Sequence, residues 1–211
     1  MDAPALCEPV HLGWISKRGS RSGDVVAFAY TDLWLSGAMG IPPFGLDHEL
    51  PLVEGWQYAR RDASNVTAAF QDSSPDRWGR VLMDRREATQ ARVEGRSVKG
   101  LRAWDYLLGV DDFSRMGALR FRDPNTDTWL ADGFPSAPPI TDLRKLESVA
   151  AKVDAGAALS RDEEARWLMQ LVAPGASLGG ARPKASYQDT DGTLWLAKFP
   201  GREDTHDVGL W

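Results

Sequence analysis

Three features of this 211-residue chain place it in the α+β class. The first sixty residues alternate short β-branched and aromatic runs with polar, glycine-containing breaks, the pattern of strands and turns. From Ser73 onward apolar residues recur at helical spacing. Near residue 180 a glycine-rich segment leads into two strand-like runs joined by an Asp-Gly turn. This order predicts a β-rich N-terminal subdomain with two helices over 1–132, a linker over 133–140 and a second unit over 141–211.

In the first subdomain, residues 10–15 and 25–30 read as strands separated by a polar turn over 17–24. A turn at Thr31-Asp32 leads to a third strand-like run at Leu33, Trp34 and Leu35, and Pro42-Pro43 marks a loop over 37–45. Ser73-Ser74-Pro75-Asp76 is a helix start, with a hydroxyl cap and proline in the first turn, where its missing N–H costs nothing. Trp78, Val81 and Leu82 continue that helix, and a second helix over 98–108 places Leu101, Trp104, Leu107 and Leu108 on one face. Residues 117–121 read as a returning strand and Asp123-Pro124-Asn125 as a turn.

The linker expected at 133–140 is rich in proline. Thr141 then caps a helix with Leu143, Leu146, Val149, Ala150 and Val153 inward and Gly156 at its end. Ser160-Arg161-Asp162-Glu163 is a capping box for a further helix that ends at Pro174-Gly175.

Composition narrows the function classes. No apolar run approaches the roughly 20 residues a membrane span needs, and the N-terminus lacks the pattern of a secretory signal, so a cytoplasmic location is expected. Cys7 is the only cysteine, and the three histidines show no ligand spacing, so neither a disulfide nor a metal cluster is expected. The net charge of −5 disfavours direct contact with DNA. The basic stretch Arg77, Arg80, Arg85, Arg86 and Arg92 is interleaved with Asp76, Asp84 and Glu87 and reads as a solvated helix face. Most of the nine tryptophans are expected in the core.

The chemistry concentrates between Gly175 and Lys198. Gly175, Gly179 and Gly180 allow turns that leave backbone N–H groups facing one concave space, a nest that favours phosphate. Lys184 adds a cation within reach. Residues 184–188 and 193–199 form a hairpin around Asp189-Thr190-Asp191-Gly192, with a two-residue or slightly longer turn of the primed type expected. Alternation sets Leu194, Leu196 and Lys198 on one face and Trp195, Ala197 and Phe199 on the other. An ammonium beside two leucines suits a nucleotide, whose base packs on apolar groups while its phosphates meet the charge. A glycine-rich segment is also an ordinary turn, Ser177 within it is also a turn cap, and a strand-end lysine also snorkels to water. Spacing alone leaves these readings open.

The motifs, taken in order, resemble those of HipA-type toxin kinases, the serine/threonine kinase components of bacterial toxin–antitoxin pairs. Residues 177–185 (Ser-Leu-Gly-Gly-Ala-Arg-Pro-Lys-Ala) are similar to the family's glycine-loop motif. Residues 195–200 (Trp-Leu-Ala-Lys-Phe-Pro) are similar to its nucleotide-lysine strand, and 207–211 to the lead-in to its next helix. Earlier, residues 70–80 (Phe-Gln-Asp-Ser-Ser-Pro-Asp-Arg-Trp-Gly-Arg) resemble its LPDGWGR signature, and 107–121 resemble its later GALRF segment.

The resemblance implies that residues 141–211 begin a protein-kinase-like small lobe. It implies that Lys198 holds the phosphates of ATP, that Gly179, Gly180, Ala181 and Lys184 surround them, and that Ser177 is the site of silencing autophosphorylation. The implied cofactor is ATP with Mg2+. The implied partners are a helix-turn-helix antitoxin, through which any DNA contact would be indirect, and a protein substrate, for some members an aminoacyl-tRNA synthetase. No membrane partner is implied. The family's catalytic aspartate, its metal-binding aspartate and asparagine, and the helix acid that pairs with the nucleotide lysine have no counterpart among these residues. The 211 residues alone are therefore expected to be inactive, with weak or absent ATP binding. The rival expectation is a naturally short, non-catalytic regulatory protein of a toxin–antitoxin system, soluble and folded without a kinase large lobe.

Overall fold

The computed structural model describes residues 8–20, 23–58, 66–112, 115–130, 143–157, 182–202 and 204. It is a mixed α+β structure whose chain falls into two compact units, 1–71 and 72–211. The expected linker at 133–140 and helix at 160–174 lie outside the described residues.

In the first unit, β1 (Gly13–Ser20) and β2 (Gly23–Tyr30) form an antiparallel hairpin in which Gly13 faces Tyr30 and Ser20 faces Gly23. The strands therefore run through most of residues 17–24, which the sequence marks as a turn. Backbone pairing overrides weak strand propensity there, because alternate residues along the ladder satisfy their backbone groups against the partner strand. A short β3 (Gln57–Tyr58) adds to the other edge of β2.

Residues 32–35 form a helix, α1 (Asp32–Leu35), and not the expected strand. Thr31 decides this: its Oγ1 accepts the Trp34 N–H at 3.1 Å, a helix cap that an extended chain could not use. The turn buries the Trp34 indole and aims its N–H at the Phe44 carbonyl, 3.3 Å away. Val26, Phe28, Tyr30, Trp34, Leu50, Val66 and Phe70 are buried, and the Phe28 ring meets Tyr30 and Phe70 edge-on at 4.7 and 5.6 Å. The Tyr30 hydroxyl donates to the Leu50 carbonyl and accepts from Leu46 N–H, both at 2.8 Å, so the buried phenol is satisfied. Asp47 takes the Ala69 N–H at 2.8 Å and holds the start of α2 (Ala68–Asp72).

The second unit is organised by α3 (Arg77–Val93). Its cap is Asp76, whose Oδ1 accepts the Gly79 N–H at 2.8 Å; a serine hydroxyl with proline in the first turn was the expectation. Pro75 stands just before the cap and contributes its carbonyl to Arg80 Nε at 3.2 Å. At the other end Gly95, with φ +65°, allows the Arg96 N–H to reach back to the Ala91 carbonyl at 2.9 Å.

The second helix, α4 (Ala103–Leu108), begins five residues later than the periodicity suggests. Polar bonds hold the preceding chain out of helical geometry: Lys99 N–H donates to Glu87, and the extended Arg102 donates its N–H to Asp105 at 3.0 Å. Leu107 is buried as expected, while Leu101, Trp104 and Leu108 are only half-buried.

No strand forms over 117–121. The chain instead makes a narrow turn-back closed by a bridge between Arg122 and Trp129 and by the Leu130 N–H on the Phe121 carbonyl. The expected turn at Asp123-Pro124-Asn125 is its tip, with Asp123 Oδ1 accepting the Asn125 N–H at 2.8 Å. Arg115 ties this region inward: its guanidinium donates to the carbonyls of Ser73, Leu107 and Val110.

Helix α5 (Leu143–Asp154) buries Leu146, Val149, Ala150 and Val153, the face its sequence periodicity predicts. It ends at Gly156, φ +70°, with the Ala157 N–H on the Lys152 carbonyl. The hairpin of β4 (Lys184–Gln188) and β5 (Leu194–Lys198) lies against these helices. One core joins Trp78 and Leu82 of α3, the apolar face of α5, Ala185 of β4 and Phe199.

Two expectations about side chains change. Of the described tryptophans, Trp34 and Trp78 are buried, but Trp14, Trp56 and Trp195 are exposed and Trp104 and Trp129 are half-buried. Arg85 and Arg86 of the basic stretch are half-buried. Arg85 donates to the Ala157 carbonyl at 3.0 Å and so caps the end of α5. Among the described residues no helix is long and apolar enough to cross a membrane.

Candidate functional site

The hairpin β4–β5 carries the two lysines that the sequence singles out. Lys184 and Lys198 stand directly across from each other, Ala185 faces Ala197, and the Phe199 N–H donates to the Pro183 carbonyl at 2.8 Å. Lys198 thus lies beside the point where the chain leaves the glycine-rich segment. Gly175, Ser177, Gly179, Gly180 and Ala181 lie outside the described residues.

The two lysines occupy opposite electrostatic situations. Lys198 is exposed and has no ion-pair partner among the described residues. Lys184 is 1% exposed, and its ammonium donates to Asp76 Oδ2 at 2.6 Å. Like charges directly opposite on a sheet repel. The Asp76 carboxylate offsets one of them and makes burial of that ammonium tolerable. The nearby Arg182 is also paired, with Asp204 at 2.9 Å, and Asp204 Oδ2 accepts the Gly201 N–H.

Face alternation on β5 follows the sequence where side chains are described. Phe199 is buried and Ala197 half-buried on the core side, while Leu196 is 40% exposed on the face shared with Lys198. The connecting loop is longer than a primed two-residue turn. Asp189 N–H meets the Thr193 carbonyl at 3.0 Å, Gly192 N–H meets the Asp189 carbonyl at 3.1 Å, and the left-handed residue is Gly192, φ +79°. A type I′ turn needs positive φ at both central residues, and Asp191 does not adopt it. The Asp189 carboxylate organises the loop by accepting from the Trp195 indole at 2.7 Å and from Thr193 and Asp191 N–H. These bonds, the indole foremost, hold its carboxyl below the usual range.

Sequence reasoning missed the role of Asp76. Its two carboxylate oxygens do separate work: Oδ1 caps α3 and Oδ2 receives Lys184, 108 positions later. Two residues on, the Trp78 indole N–H donates to the Lys184 carbonyl at 3.0 Å. The early motif around Ser-Pro-Asp-Arg-Trp-Gly and Lys184 of the later motif therefore meet at one point. The sequence marks Asp76 as part of a helix start, but nothing in its local pattern names the distant partner.

A separate cleft of about 310 Å³ lies between α3 and α4, lined among others by Met83, Arg86, Gln90, Trp104 and Gly109. Neither Lys184 nor Lys198 lines it. Burial there pushes the Arg86 guanidinium pKa down. Among the described residues no group of histidine, cysteine or acidic side chains is placed to hold a metal ion. No protein-family model, no curated protein and no solved structure matches this chain.

Proposed function

We propose that this chain carries the nucleotide-facing front of a HipA-like serine/threonine protein kinase. The observation that carries the reading is the position of Lys198, an exposed ammonium on β5 across the hairpin from the end of the glycine-rich segment. A cation there can meet the phosphates of ATP, and the neighbouring exposed Leu196 offers apolar surface to the base. Backbone N–H groups of the glycine segment, including Gly179, Gly180 and Ala181, would complete the anion cradle. Lys184, expected beside the phosphates, instead has its ammonium buried against Asp76.

The proposal for these 211 residues is weak nucleotide binding without transfer. In that reading Ser177 is the acceptor of a regulatory phosphate, which would add about two negative charges to a segment that must hold ATP phosphates. A helix-turn-helix antitoxin and a protein substrate are the partners proposed on the same basis.

The test is an NMR titration of the isotope-labelled chain with ATP at millimolar concentrations, with and without Mg2+. Shifts are expected at Lys198 and in the glycine segment, and Lys198→Met is expected to abolish them. Stability of that variant should stay within about 0.5 kcal/mol of the parent, because the side chain is exposed. Absence of shifts in the parent chain, or their persistence in Lys198→Met, would overturn the reading.

A further inference from the structure

We infer that the cleft between α3 and α4 binds a small aromatic carboxylate, whose ring packs on Trp104 and its apolar neighbours and whose charge meets the Arg86 guanidinium. This site is separate from the proposed nucleotide site and does not depend on it. The first observation that carries it is apolar surface left uncovered. Periodicity puts Leu101, Trp104, Leu107 and Leu108 on one face, yet only Leu107 is buried. Leu101, Trp104 and Leu108 stay half-buried and line the cleft, together with Met83 of α3. A concave place lined by apolar side chains with a few polar groups is the usual form of a small-molecule site. The volume of about 310 Å³ suits a ligand at the small end of that class.

The second observation is the balance of charge. Arg86, Glu87 and Asp105 are the charged residues that line the cleft. Both acids are engaged within the chain. Glu87 accepts from the Arg96 guanidinium and from the Lys99 N–H at 2.8 Å. Asp105 accepts from the Lys99 ammonium at 2.6 Å and from the Arg102 N–H at 3.0 Å. With the acids offset by Arg96 and Lys99, Arg86 sets the sign of the cleft and favours an anion.

The third observation is where Arg86 stands. A Cβ added at Gly109 would lie 2.5 Å from Met83 Cε and 3.6 Å from Arg86 Nη2, so the guanidinium and the thioether crowd the end of α4 where a side chain has no room. The guanidinium is half-buried, and burial pushes its pKa down. A carboxylate entering the cleft would offset part of that desolvation. Five N–H donors in a planar fork let one guanidinium keep bonds within the chain and still receive a carboxylate. An aromatic carboxylate therefore matches both parts of the lining. Its neutral amide keeps the apolar contact and loses the charged one.

The measurement is an NMR titration of the isotope-labelled chain with benzoate, 2-naphthoate and 2-naphthamide at millimolar concentrations, read at the Trp104 indole N–H and the amides of 83–90 and 101–109. Both acids are expected to shift these signals, and 2-naphthoate should bind about tenfold more tightly than 2-naphthamide. Arg86→Gln should bring the acid down to the level of the amide, and Arg86→Lys should keep part of the preference. Trp104→Leu should weaken acid and amide alike. Val93→Ala, at an 80% exposed position of α3 outside the cleft, should bind as the parent does. Absence of shifts at the cleft with both acids, or equal affinity of the parent chain for 2-naphthoate and 2-naphthamide, overturns the inference whether or not the Arg86 variants fold. A folded Arg86→Gln that retains the parent's preference for the acid also overturns it. The nucleotide reading stands or falls separately, on the ATP titration and Lys198→Met.

Discussion

The three-stranded sheet of the first unit and the hairpin of the second are both antiparallel, yet they acquire their cores in different ways. The sheet packs Phe28 and Tyr30 against Phe70 and Leu50, residues supplied by its own short neighbourhood. The hairpin contributes Ala185 and, just past its end, Phe199 to a core made mostly by α3 and α5. Two of its polar anchors come from residues 106 and 108 positions earlier. A two-stranded hairpin is marginal in water and needs a helix to lean on. The hairpin that carries Lys184 and Lys198 is therefore held by distant residues, and its placement depends on the start of α3.

Trp78→Ala is the largest challenge to that contrast. It removes a fully buried indole and the bond to the Lys184 carbonyl, and is expected to cost about 3–5 kcal/mol in urea unfolding. Amide protection should fall in β4 and β5 while β1 and β2 stay protected. Phe70→Ala, 2% exposed in the first unit, should give the opposite pattern. Loss of protection in both units from either variant would show that the two cores are not independent.

Helix caps sharpen the comparison at lower energy. Thr31→Ala removes a single neutral cap bond and is expected to cost about 1 kcal/mol. Asp76→Ala removes a cap and leaves a buried ammonium without its carboxylate, so about 3 kcal/mol is expected. Thermal unfolding of the pair checks this. Equal costs would mean that the Asp76–Lys184 pair contributes nothing beyond the cap.

The smallest effect concerns acid. Arg96, through its guanidinium, and then the Lys99 N–H hold the Glu87 carboxyl down at about 2, from an ordinary 4.5. A depressed carboxyl contributes stability above its unfolded pKa and loses that contribution as pH falls from about 4.5 through about 2. Glu87→Gln should flatten the acid limb of the second unit's stability curve and leave that of the first unit unchanged. Urea titrations at several acidic pH values, read by amide signals of each unit, check it.

Legibility followed the range of the interaction. The inward face of α5, its glycine end and the alternation of β5 could be read from residues a few positions apart, because helical and strand periods are local geometry. The errors arose where a side chain chose between local partners. Thr31 turned 32–35 into a helix, Asp76 took the cap from the serines, and Glu87 and Asp105 held the chain before α4 extended.

The sequence alone established the α+β character, the main amphipathic faces and the two lysines worth attention, since each follows from composition and spacing over a few residues. It could not say that those lysines differ. Tertiary packing buried Lys184 against Asp76 and left Lys198 exposed, although the two face each other across one hairpin. The reason is that desolvation of a charge depends on everything around it. The carboxylate that makes this burial possible lies 108 positions away in the chain, brought there by the packing of α3 against β4.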